Sequence, residues 1–279
     1  MGDRISSWGS ARPEPEPKTM NPIAAAMLLA LSLFFGMLVL LVAGRRIGAQ
    51  RIAREGEGAA TGTGAVDAAV FALLGLLVAF TFSNAASKFD SRRDLIVEEA
   101  NTIGTAYLRL DLVPEARRSA LRESFRQYVD ARLAFYRVAA QDDQRFREGF
   151  SRVNALQLEI WNQALAATQD PGAASGAPML LLPALNEMID ITTTRTLATE
   201  MHPPVVIFGL LALLALASAL LAGYGMAGSR SPSWLHMIGF AAVMALAVYI
   251  IVDLEYPRLG VIRVDAFDQA LVDVRSSMQ

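Results

Sequence analysis

The chain contains no cysteine and, in 279 residues, only two histidines, His202 and His236. The first absence excludes disulfides, thiolate nucleophiles, iron–sulfur clusters and cysteine-ligated zinc. The second leaves no histidine-rich metal centre and no histidine-based catalytic array. Charge is scarce as well. Charged residues make up 19% of the chain and hydrophobic residues 53%, against about 25% charged in an ordinary soluble domain. A net charge of −2 lacks the basic excess with which a general nucleic-acid binder displaces phosphate counterions. No nucleic-acid partner is expected, and part of the chain is expected to lie in a lipid bilayer.

Four runs are long and apolar enough to cross one. They cover residues 23–43, 65–82, 204–222 and 234–252. The first is 21 residues, about 32 Å as a helix, against a hydrocarbon core of about 30 Å. It is read as a span, because a cleaved signal has a shorter apolar core of about 7–15 residues. A polar, proline-rich segment, 1–22, precedes it. Short loops are expected at 44–64 and 223–233, and a C-terminal tail at 253–279. The glycine-rich stretch GEGAATGTG (56–64) reads as a flexible turn rather than a phosphate cradle, since no strand precedes it and no Lys-Ser/Thr follows.

Residues 83–203 hold 14 Lys/Arg and 16 Asp/Glu and are expected to face water. Their apolar residues recur at helical spacing. Phe89, Ile96, Ala100, Ile103, Tyr107 and Leu110 form one stripe, and Pro114 ends it. Leu121, Phe125, Val129, Leu133 and Tyr136 mark a second helix, with a break at Gln141–Asp142–Asp143. Phe146, Phe150, Val153, Ile160 and Trp161 mark a third. A fourth runs from about Met179 toward Pro203–Pro204. The fold class is therefore all-α: four transmembrane helices, with a helical extramembrane domain inserted between the second and third.

The second span carries two faces. Ala68, Ala72, Gly75, Ala79 and Ser83 form a small-residue stripe that allows close helix packing in lipid. Ala212, Ala215, Ala219 and Ala222 on the third span are its expected partner. Leu73, Leu77, Phe80, Asn84 and Lys88 form the other face. No proline intervenes before Pro114, so the span is expected to continue into the water-facing domain as one helix. Two readings of the apolar face stand. Leu73, Leu77 and Phe80 form a constriction that gates by dewetting, with Asn84 and Lys88 lining an anion-favouring mouth. Alternatively, Leu and Phe face lipid and Lys88 snorkels to the headgroups. Asp67 reads as a pathway carboxylate or as an interfacial residue. Asp90, Asp94 and Glu98, at i, i+4 and i+8, repel one another. They call for cations opposite, from Arg117, Arg118, Arg122 and Arg126 or from Arg92 and Arg93; a divalent-cation site is the alternative. His202 and His236 read as interfacial residues. No Ser–His–acid set, phosphate loop or metal motif is present, so neither enzymatic activity nor a cofactor or metal is expected.

Two segments carry a family resemblance: FTFSNAASKFDSRRDLIVEEANTIGTAYLRLDLVP (80–114) and DLEYPRLGVIRVD (253–265). Together they resemble the bestrophin-like domain family, four-span membrane proteins found mainly in bacteria and plants. The likeness extends from the first span to the C-terminus. True bestrophins are pentameric anion channels whose second span carries an apolar neck. Phe82, Asn84, Phe89, Asp90 and Arg93 loosely match their segment beyond the neck. Asp90–Ser91 stands where their aromatic pair would be, and their acidic calcium clasp is not seen. The resemblance implies a homo-oligomer in the bacterial inner membrane, chloride or another small anion as the permeant species, and a cytoplasmic domain.

Four spans put both termini and the domain on one side. The positive-inside rule would place Arg45, Arg46, Arg51 and Arg54 in the cytoplasm, opposite to what the resemblance implies; the orientation adopted follows the resemblance. Two other functions compete with a channel. One is a membrane-anchored helical sensor or scaffold that binds a partner protein. The other is a solute carrier, for which the usual broken helices and paired repeats are not found.

Overall fold

The computed structural model describes residues 22–56, 64–138, 143–229, 231 and 233–278. The proline-rich N-terminal segment, most of the glycine-rich turn and most of the break expected at Gln141–Asp143 lie outside the described residues. Eight α-helices are described: α1 Pro22–Glu55, α2 Gly64–Leu108, α3 Glu115–Val138, α4 Asp143–Thr168, α5 Ala177–Glu200, α6 Val205–Gly225, α7 Trp234–Glu255 and α8 Gln269–Ser277. Among the described residues no strand occurs. Four helices, α1, α2, α6 and α7, are long and apolar enough to cross a membrane.

Two regions differ from the organisation drawn from the sequence. α1 does not stop at Ala43; it runs on through Gly44–Glu55. Apolarity ends there, but apart from Gly44 and Gly48 the residues that follow are mostly good helix formers without proline, and backbone hydrogen bonding does not require an apolar surface. The loop expected from 44 therefore begins at Gly56, in the left-handed region at φ +85°. At the other end, residues 269–277 form α8 rather than a tail, and Leu271 and Met278 are buried.

α2 is one helix of 45 residues, about 67 Å long at 1.5 Å per residue. Its length follows from the absence of proline between 64 and 114. A short 3-10 turn, Arg109–Leu112, ends it. The Pro114 carbonyl then accepts the amides of Arg117 and Arg118 to open α3.

The molecule has two apolar cores, and α2 serves both. One gathers Leu33, Met37 and Leu41 of α1, Leu74 and Ala85 of α2, Leu211, Ala215 and Ala219 of α6, and Met237, Ala241 and Val248 of α7. The other gathers Ala100, Ile103 and Tyr107 of α2 with Leu121, Phe125 and Val129 of α3, Val153 and Ile160 of α4, Leu181 and Leu185 of α5, and Leu271. The periodic apolar positions of the domain are thus largely its core. Phe150 is the exception and is exposed.

Within the first core, α1 and α6 approach most closely. A β-carbon on Gly44 would collide with the Leu220 carbonyl, and one on Gly223 with that of Leu41. These are close backbone crossings of the kind that small residues permit between lipid-embedded helices.

Candidate functional site

The second span's candidate lining residues lie along one side of α2. Leu73 and Phe80 are 52% and 64% exposed, Asn84 is exposed and Leu77 is half-buried. Leu77, Phe80, Thr81 and Asn84 border a cavity of about 320 Å³, closed on its other side by Pro203, Ile207, Phe208, Ile251 and Glu255. Lys88 departs from the expected mouth. Its Nζ lies 3.6 Å from the Glu255 carboxylate, and the side chain turns inward.

The small-residue stripe also faces outward. Ala68, Ala72, Gly75 and Ala79 are all exposed within one chain, and a β-carbon on Gly75 would meet nothing within 4 Å. The expected pairing with the alanines of α6 is therefore not formed inside the chain. Ala215 and Ala219 are instead buried in the four-helix core.

The acidic run on α2 is not faced by the arginines of α3. Arg117 pairs with Asp170, Arg118 and Arg122 with Asp111, and Arg126 with Glu123. Asp90 pairs with Arg93 at 2.9 Å. Asp94 and Glu98 are exposed and make no ion pair among the described residues. Among those residues, no three His, Asp or Glu side chains come together as a metal-holding group. Asp67 is half-buried. His236 is exposed, within hydrogen-bond distance of Ser233 Oγ.

Between the two cores lies a buried ionic layer, most of which the sequence did not disclose. Glu255, the last residue of α7, is 1% exposed. Around it stand Lys88 at 3.6 Å, Arg92 at 3.7 Å and His202 Nδ1 at 3.8 Å. None of these donates a hydrogen bond to it; both carboxylate oxygens are buried without a partner. Arg92 is instead engaged by the Ala198, Met201 and Leu254 carbonyls. Burial pushes the Arg92 guanidinium below its ordinary range, and the Glu255 charge opposes that push. His202 stacks on Tyr256 with ring centroids 4.5 Å apart.

Glu255 also borders a second cavity, of about 360 Å³, on the domain side. Arg92, Arg195, His202, Tyr256 and Arg258 contribute to its wall. Deeper still, Glu99 is fully buried and accepts from Arg132 Nε at 2.5 Å, from Tyr136 at 3.0 Å and from Arg195. Arg195 and Arg258 share Asp268. Burial raises the neighbouring Tyr128 phenol above its ordinary range.

The loop after α7 is built around Asp253, whose carboxylate accepts the amides of Val261 and Ile262. This brings the two segments 80–114 and 253–265 together: Arg92 donates to the Leu254 carbonyl 162 positions away, and the Lys88 ammonium lies 3.6 Å from Glu255. A model of the bestrophin-like domain matches residues 30–266, an interval that contains both segments. The chain belongs to the bestrophin-like domain family. No curated protein and no solved structure matches it. Family membership and the four apolar helices make this bestrophin-like protein an integral membrane protein of a lipid bilayer.

Proposed function

We propose that this bestrophin-like protein is a homo-oligomeric ion channel whose pore is lined by α2. The observation that supports it is a continuous exposed stripe along one side of that helix. Leu73 and Phe80 are followed on the same side by Asn84, Ser87, Ser91, Asp94 and Glu98, all exposed. Around a shared axis this stripe is an apolar neck leading into a hydroxyl- and carboxylate-lined vestibule. An apolar ring that sheds water blocks ions without a charged gate. The small-residue stripe, on the other side of α2, then packs against a neighbouring copy. Residues 83–203 are the water-facing domain, on the cytoplasmic side of the bacterial inner membrane.

The charges along that stripe favour cations. Lys88, the residue from which anion preference was expected, is engaged by Glu255, whereas Asp94 and Glu98 are exposed on the lining. Rings of carboxylates select cations. The test is purified protein in planar bilayers under a potassium chloride gradient, with its assembly measured in detergent. A ring of subunits with a reversal potential on the cation side supports the reading. A monomer, or no conductance above empty bilayers from either the wild type or Phe80→Ala, overturns it.

One observation favours the scaffold reading. Leu158 and Leu165, seven apart on α4, and Met179 and Leu180 at the start of α5, are exposed apolar side chains on the domain. Capture of a defined partner by this face, lost in Leu158→Asp, together with a monomeric and silent protein, would make the scaffold the function.

A further inference from the structure

Among the described residues Glu255 is the one carboxylate that borders both cavities, the one beside the neck and the one inside the domain. It faces bases from two elements: Lys88 and Arg92 of α2, and His202 in the link between α5 and α6. Tyr256 backs His202, and Arg195 and Arg258 share the domain-side cavity. Asp253, two residues earlier, is turned to the Val261 and Ile262 amides and does not compete for these bases. Charge-assisted hydrogen bonds run at about 2.7–2.9 Å. The three bases stand 3.6–3.8 Å off, so the carboxylate attracts them without locking any.

The three differ in what else holds them. Arg92 is fixed by three backbone carbonyls. His202 is stacked on Tyr256. Among the described residues Lys88 has no other partner, and it keeps 28% of its side chain exposed. It also sits one turn beyond Asn84 on the helix proposed to line the pore. Only two of the chain's 25 Lys and Arg residues are lysines, Lys18 and Lys88. A lysine has a long flexible stem and a compact charge, so it can swing from one side of a helix toward the next when its counter-ion is lost.

We infer that Glu255 is the positioning residue for ion selectivity: it withholds the Lys88 ammonium from the pore mouth, and the cation preference of the vestibule depends on that restraint. When the Glu255 carboxylate is neutralised by mutation, Lys88 turns to the mouth beside Asn84. There it repels cations and concentrates anions. This inference rests on the channel reading above and names the residue on which that channel's selectivity depends.

Two measurements test it. In planar bilayers at neutral pH, Glu255→Gln is expected to lower the cation-to-anion permeability ratio several-fold. Glu255→Gln with Lys88→Gln is expected to restore it, and Glu255→Asp to keep most of it. Lys88→Gln alone is expected to leave the ratio near the wild type's, because the ammonium it removes is already withheld from the mouth. Amine-reactive labelling in detergent, read by mass spectrometry with Lys18 as internal reference, is expected to modify Lys88 several-fold faster in Glu255→Gln. If Glu255→Gln fails to fold, Glu255→Asp carries the test through labelling, its shorter side chain expected to leave Lys88 more reactive than in the wild type. Conductance with the same reversal potential in wild type and Glu255→Gln overturns this inference and leaves the channel standing. Absence of conductance in all of them overturns the channel; unchanged Lys88 labelling overturns the restraint itself.

Discussion

Gly260 lies against the carboxylate of Asp253, with no room for a β-carbon between them: one built there would overlap both Asp253 oxygens. The contact closes the loop that follows α7, because the same carboxylate takes the Val261 and Ile262 amides. Gly260→Ala must displace Asp253 and orphan those amides. Losing buried hydrogen bonds to a charged group costs on the order of 2–3 kcal/mol. A lowered melting temperature in detergent is expected, and an unchanged one would show that the loop has room to relax.

The Glu99 network makes a second, larger prediction. Arg132 and Arg195 both donate to this fully buried carboxylate. Breaking a buried ion pair by removing one partner costs roughly 3–5 kcal/mol, because the other charge stays uncompensated. Glu99→Ala should therefore destabilise the domain far more than Glu98→Ala, its exposed neighbour. Denaturant unfolding followed by the helical circular-dichroism signal compares the two.

Glycines on different helices should separate folding from assembly. Gly44→Leu places a side chain on the Leu220 backbone and is expected to unfold the α1–α6 crossing, with loss of monomer stability. Gly75→Leu meets nothing within its own chain. It should leave the melting temperature of the isolated chain unchanged and weaken the oligomer. Native mass spectrometry from detergent reads the assembly. An intact oligomer in Gly75→Leu would show that this face meets lipid.

Topology is tested by labelling. Single cysteines at Ser7, Ser151 and Ser277 can be introduced into a chain that has none. With four spans, all three are expected to react from the same side, and from the cytoplasmic side in the orientation proposed. Opposite labelling of the two termini would rule out four spans. Labelling of all three from outside alone would reverse the orientation.

The features legible in the sequence are those that physics writes locally. A bilayer demands long apolar runs, and the four helices that could cross it stand out. A buried helix face repeats at 3.6 residues, and Ile96, Ala100, Ile103 and Tyr107 are indeed core. What stayed hidden is pairing across distance. Glu255 follows an apolar run and reads as an ordinary interfacial charge; nothing local says that Lys88, Arg92 and His202 converge on it. Of the two sources of cations open for the acidic run, Arg93 serves Asp90 and the α3 arginines do not, because helical charges are often served by near neighbours, as Arg118 is by Glu115 and Arg126 by Glu123. The end of α1 was misplaced because hydropathy marks where lipid contact ends and not where a helix does.

α2 has no joint. The same rod contributes Leu74 to one core and Ile103 to the other, and each residue along it turns the helix by about 100°. Its length between the two cores is therefore a phase as well as a distance. Adding one residue near Ser87 would rotate the domain's docking face a quarter-turn or more out of alignment with the neck, while adding seven would return it nearly to phase, about 10 Å further out. Drift in length that a loop absorbs freely changes the phase here, and a twist applied at the domain end is carried along the same helix toward Phe80.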